Sequence, residues 1–320
     1  MKLKSFLIIA FFTVFHFSFA QHTDIINSNR PSESMSAFAV GKKVIQLESG
    51  FSFLNENHKL LDYKTKGYIL DLAVRYGFFK EQLEFISEIG YQNDKFTTPY
   101  DQQKRSGLKT TTLGFKYLVY DPFRNRKETI NIYSWKANHK FKWNQFIPAL
   151  SVYGGANLNF SNVYNAEPDN ISMISPKVML ITQNIFGNGY VFITNIYMDK
   201  ISTPRVSLNY LVTITKAIND KWSVFFENKG IKGDYYADGI FSGGAAYLLT
   251  DELQIDASLS KNYKDTPSIF YGGFGISWRS DTNYKDVLIR SGKEDKKDKS
   301  KKGKDKEKNK KRLDEVEVEK

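Results

Sequence analysis

The stretch VRYGFFKEQLEFISEIGY, residues 74–91, holds two alternating runs joined by a short break, and Arg75, Glu84 and Glu88 share its polar register. Alternation of this kind marks β-strands with two unlike faces. In a soluble sandwich the polar face meets bulk water, whereas in a membrane barrel it faces a lumen and the apolar face meets lipid. The period alone does not choose between them, so the choice falls to the rest of the chain.

The chain opens with MKLK, an apolar run from Ser5 to Phe19, and small residues at Ser18 and Ala20 before Gln21. A basic start, an apolar stretch of this length and small residues at its end predict a cleaved export signal over residues 1–20. A membrane anchor would need about 20 apolar residues, and polar sequence follows this shorter run. There is no cysteine, which excludes a lipid-attachment thiol, a disulfide framework and a thiolate metal site. Beyond the leader no apolar stretch is long enough for a spanning helix. An exported chain of this kind is either soluble or crosses a membrane as a barrel.

From about Lys293 the composition changes: KEDKKDKSKKGKDKEKNKKRLDEVEVEK has no aromatic and almost no apolar residue. Such a segment buries too little surface to offset chain entropy and is expected to be disordered. The formal charge of +11 is therefore misleading. Two lysines lie in the leader and the tail carries 13 basic against 9 acidic residues, which leaves +5 for the body. The tail's lysines alternate with Asp and Glu and belong to an exported chain, so no nucleic-acid partner is expected.

Period-2 runs bounded by Gly, Pro, Asn and Asp fall near 44–53, 66–76, 82–91, 110–120, 146–158, 176–184, 190–198, 205–215, 221–229, 240–249, 252–260 and 268–278. An even strand count brings both chain ends to one side of a membrane. In the first run Ile45, Leu47, Phe51 and Phe53 oppose Gln46, Glu48 and Ser52; in the second Tyr68, Leu70, Leu72, Val74 and Tyr76 oppose Asp71 and Arg75. Aromatic residues recur near run ends, where barrel girdles lie. If the first run starts on the inner side, the links 77–81, 186–189, 217–220 and 250–251 are short inner turns. The links 54–65, 92–109 and 160–175 are then long outer loops. Outer-membrane barrels show this asymmetry, and it places water inside and lipid outside. The link 121–145 breaks the rule and is expected to form a periplasmic extension.

Catalysis finds little support. His22, His58 and His139 lie off the predicted strands and apart from one another, so neither a nucleophile–base pair nor a histidine metal site is expected. Glu84 and Glu88 are roughly 13 Å apart by strand rise, too far for paired-carboxylate chemistry. The glycines of YGGAN and YGGFG sit within strands and suggest bends or tight packing.

The stretches NSNRPSESMSAFAVGKKVIQLESGFSF, LAVRYGFFKEQLEF, TTLGFKYLVY, SLNYLVTITKAINDKWSVFFENKG and GGAAYLLTDELQIDASLSKNY resemble successive parts of the outer-membrane barrel family called "putative meta-pathway of phenol degradation", often labelled "transporter". The resemblance runs from about Asn27 to Trp278. Its matching polar positions are Arg30, Gln46, Glu48, Arg75, Glu84, Lys116, Glu227, Gln254 and Asp256. It implies an all-β, transmembrane, antiparallel up-and-down barrel in the outer membrane of a Gram-negative bacterium, in contact with lipid and a small-molecule solute.

Register and resemblance together make Glu48, Asp71, Arg75, Glu84, Glu88, Lys116, Glu227 and Asp256 the lumen and selectivity candidates. Residues 21–42 are expected as an N-terminal periplasmic segment, 43–279 as the barrel and 280–320 as a charged tail. The expected function is a channel for a small solute, its lumen either open or plugged by inward side chains and the N-terminal segment. The alternative is a non-conducting barrel that joins other envelope proteins through Tyr133, Trp135 and Trp143 and through the tail.

Overall fold

The computed structural model describes residues 25–123, 146–160, 162–165, 173–186 and 189–280. Its strands are β1 (Ile45–His58), β2 (Tyr63–Gly77), β3 (Leu83–Thr97), β4 (Gln102–Tyr120), β5 (Ala149–Leu158), β6 (Ile174–Phe186), β7 (Tyr190–Asp199), β8 (Ser207–Ala217), β9 (Trp222–Gly233), β10 (Ala237–Thr250), β11 (Leu253–Asn262) and β12 (Ser268–Ser280). Each pairs antiparallel with its sequence neighbour, and β12 returns to pair with β1, so the sheet closes into an up-and-down barrel. Closure removes every unpaired strand edge, which is what lets a sheet stand in hydrocarbon.

The strand faces follow the alternation. Gln46, Glu48, Arg75 and Glu84 are buried inside, while Ile45, Leu47, Phe53, Leu70 and Leu72 are exposed outside. Across β1 and its neighbours the outward aromatics form one cluster: the Phe51 ring lies 4.9 Å from Phe53, 5.6 Å from Tyr68 and 5.5 Å from Phe274. Near the other rim Trp222 packs 4.8 Å from Tyr247. A continuous apolar coat with polar residues held inside is the arrangement of a membrane-spanning barrel. Among the described residues no helix is long and apolar enough to cross a membrane.

Two of the expected long outer loops are absent. β1 and β2 continue pairing up to His58 and Tyr63, and β3 and β4 up to Thr97 and Gln102, leaving links of only 59–62 and 98–101. The outward residues of these strand ends, Asn55, Asn57, Lys64, Lys66, Asn93, Lys95, Gln102 and Lys104, are polar, so the apolar half of the pattern fades while backbone pairing continues. The third link holds a short helix, α1 (Asn162–Asn165). There Tyr164 donates its hydroxyl to the carbonyls of Gln92 and Arg105, fastening the link to the rim of β3 and β4.

Candidate functional site

Of the two arrangements the sequence left open for the N-terminal segment, residues 25–44 take the one inside the lumen. They enter the lumen from the rim that carries Gly77 and Asp251, reverse near Glu33 and return to start β1. Entry is fixed by Ile26 N–H donating to Asp251 O at 2.8 Å and by Arg279 donating to Ile25 O at 2.9 Å. Exit is fixed by Lys43 N–H donating to Gly77 O at 2.9 Å. The stretch NSNRPSESMSAF has no β period and many short polar side chains. It offers backbone donors and acceptors to inward side chains instead of joining the sheet.

One wall of the lumen is ionic. Arg75 bonds Glu84 through Nε, Glu48 at 3.1 Å and the Asn27 carbonyl at 2.8 Å. Lys116 Nζ lies 3.0 Å from the other Glu84 oxygen and donates to the carbonyls of Ser36 and Phe38 at 2.9 and 3.0 Å. Each charge here is fully or nearly fully buried, where an ion survives only with opposite partners and satisfied hydrogen bonds. Gln46 completes the group by donating to Glu48 at 2.7 Å.

Higher in the lumen Arg30 reaches β11, with Nε 3.3 Å from Asp256 Oδ2 and an Nη 3.2 Å from Oδ1. Gln254 donates to the Arg30 carbonyl at 3.0 Å. The guanidinium passes over Gly50 and Gly275, which face each other on β1 and β12, and a Cβ on either would overlap it. At the reversal, the Glu227 carboxylate accepts the N–H groups of Glu33 and Ser34 at 3.2 and 3.1 Å and the Thr213 hydroxyl at 2.7 Å. Glu33 itself is exposed and pairs with Lys229 at 2.5 Å. Lys177 and Lys109 are its next cationic neighbours.

The adjoining wall, from β3 round to β8, is apolar. Met35 and Ala37 pack among Ile86, Leu118, Ala149, Tyr153, Met179, Ile181, Tyr197 and Leu211. Gly114 and Gly155 leave room for the Tyr153 ring, which accounts for the second glycine of YGGAN as tight packing. Polar contacts to the backbone interrupt this wall: Gln183 accepts from Ala37 N–H and the Ser36 hydroxyl at 2.9 Å each. Ser151 donates to Ala37 O at 2.6 Å and Asn195 to Met35 O at 3.2 Å.

Six of the eight candidates, Glu48, Arg75, Glu84, Lys116, Glu227 and Asp256, therefore meet the N-terminal segment or its immediate partners. Asp71 and Glu88 also point inward but stay half-buried beside it. Sequence reasoning missed Gln183, Asn195, Ser151, Lys229 and Arg279. The inward parity of the first four was readable, while Arg279 lies just past the predicted twelfth run, and nothing marked any of them as partners of a segment far away in sequence. Tyr133, Trp135 and Trp143, together with the leader and the tail, lie outside the described residues. Among the described residues no group of three His, Asp or Glu is placed to hold a metal ion.

Among solved structures the chain is similar to the COG4313 outer membrane channel from Pseudomonas putida F1, with 9% identity over 78% of this chain and 99% of that one and a TM-score of 0.50. Two further similar structures are the translocator domain of the autotransporter NalP from Neisseria meningitidis (8% identity, 78% and 90% covered, TM-score 0.45) and the CymD monoaromatic hydrocarbon channel (10%, 75% and 88%, TM-score 0.37). Identities this low speak to the fold alone. No curated protein matches the chain. The family model described as "Putative MetA-pathway of phenol degradation" matches residues 28–280, the inserted segment and every strand of the barrel, and the chain belongs to that family.

Proposed function

We propose that the protein is an outer-membrane channel of a Gram-negative bacterium for a small solute, closed on its inner side at rest by residues 25–44. The observation that carries this reading is the ionic fastening of that segment to the lumen wall. A barrel serving only as a structural subunit could fill its interior with apolar side chains, at less cost than burying Arg75, Glu84 and Lys116. Held by charges, hydrogen bonds and the packing of Met35 and Ala37 rather than by strand pairing, the segment can leave without breaking a strand pair.

In this reading the charged candidates divide by role. Glu48, Arg75, Glu84, Lys116, Glu227 and Asp256 hold the segment. Asp71, Glu88 and the Glu33–Lys229 pair meet the solute path and set ion preference. Family membership and the resemblance of the fold to an outer membrane channel support the location and the transport role.

The test is planar-bilayer conductance of the detergent-purified protein beside a variant lacking residues 25–40. Ion-selective steps that grow when the segment is removed are expected. Silence in both forms, with folded barrels shown by heat-modifiable gel mobility, would overturn the channel reading.

A further inference from the structure

The outer ends of β2, β3 and β4 carry lysines in direct cross-strand opposition. Lys66 faces Lys95 and Lys95 faces Lys104, with Lys64 two residues farther along β2. All four are exposed and share the outward register. Tyr68 stands two residues from Lys66 and opposite Phe53, so the row lies about 7 Å beyond the aromatic girdle by strand rise.

No acid shares that face. The outward positions of β1–β4 contain neither Asp nor Glu. At the same height Glu56 and Asp94 point into the lumen, where they accept from Tyr63 and Arg105. Asp101, in the nearby turn, is engaged by Gln102 and Gln103. Like charges directly opposite across a strand pair destabilise it, and beside a bilayer, where the local dielectric falls, screening is weaker than in water. A further acid, Asp62, is exposed in the 59–62 turn four positions from Lys66, and on the strand face itself the repulsion along Lys66, Lys95 and Lys104 is not offset. Aromatic rings mark the depth of the lipid headgroups, and a cationic row just beyond them is continuous with the lipid face and complementary to lipid phosphate.

We propose that Lys66, Lys95 and Lys104 form a docking surface for the phosphate groups of an outer-leaflet glycolipid of the lipopolysaccharide type. This rests on the outer-membrane location proposed above, with the extended strand ends on the cell exterior. The lipid phosphates bridge the opposed lysines and turn a repulsive strip into a stabilised one.

The test uses the full chain in detergent, with folding checked by heat-modifiable mobility and bound lipid followed by native mass spectrometry. The variant K66Q/K95Q/K104Q should bind lipopolysaccharide about a hundredfold more weakly than the parent. The dephosphorylated lipid should bind the parent as weakly as that variant binds the intact one. Parent-like binding by the variant, or equal binding of the dephosphorylated lipid, overturns the proposal. So does displacement of the lipid by millimolar inorganic phosphate, which would mark a free-phosphate site.

A second readout is the sign of a stability change. Lys95→Gln should raise the unfolding midpoint in lipid-free detergent, by relieving repulsion, and lower it with lipopolysaccharide present. A shift of the same sign in both conditions also overturns the proposal. Neither readout involves conductance, so a silent channel and a failed lipid site are distinguishable.

Discussion

Arg30 and Asp256 lie 226 positions apart in the chain and meet inside the barrel through two parallel contacts of 3.3 and 3.2 Å. The Asp256 side chain is fully buried and that of Arg30 is 17% exposed. Their meeting ties the inserted segment to β11.

Arg30→Met leaves the Asp256 carboxylate buried without its partner, at a cost of about 3 kcal/mol. The N-terminal segment should then become sensitive to limited proteolysis while the barrel keeps its heat-modifiable mobility. In bilayers the variant should open more often than the parent.

Gly275→Ala reaches the same end from the opposite side of the contact. Its methyl group would occupy the space of the Arg30 guanidinium and make it shift, so it should reproduce the proteolysis pattern of Arg30→Met in weaker form. Gly154, by contrast, has nothing within 4 Å of an added Cβ. Gly154→Ala should change stability by no more than about 0.5 kcal/mol, as measured by urea unfolding.

Glu84→Gln should destabilise the protein by about 3–5 kcal/mol, because it leaves Arg75 and Lys116 buried without the carboxylate between them. Glu88→Gln, on the same strand face but half-buried, should stay within about 0.5 kcal/mol and alter ion preference instead. Unfolding midpoints and reversal potentials for the two variants separate a holding role from a lining role.

Glu33→Gln removes the carboxylate that pairs with Lys229 and faces Lys177 and Lys109. The tip of the inserted segment then carries net positive potential, and the reversal potential in a KCl gradient should move toward anion preference. An unchanged reversal potential would remove the tip from the solute path.

The sequence by itself determined the strands and their faces. Twelve runs with period 2 became twelve paired strands, and the in–out assignment of Gln46, Glu48, Asp71, Arg75, Glu84 and Glu88 followed from parity, because burying one face of a strand leaves its register no freedom. The nine polar positions that the resemblance singled out, Arg30 among them, were readable as candidates, though not what each one meets. Only the tertiary structure decided that residues 25–44 lie inside the lumen, that Arg30 answers Asp256, and that the pairing of β1–β4 runs on to His58–Tyr63 and Thr97–Gln102. The physical reason is that parity is a local property, fixed by the neighbours of each residue along its strand. The partner of a buried charge is set by barrel closure, which brings β1 against β12 and carries a segment without any period into a space that all the strands enclose.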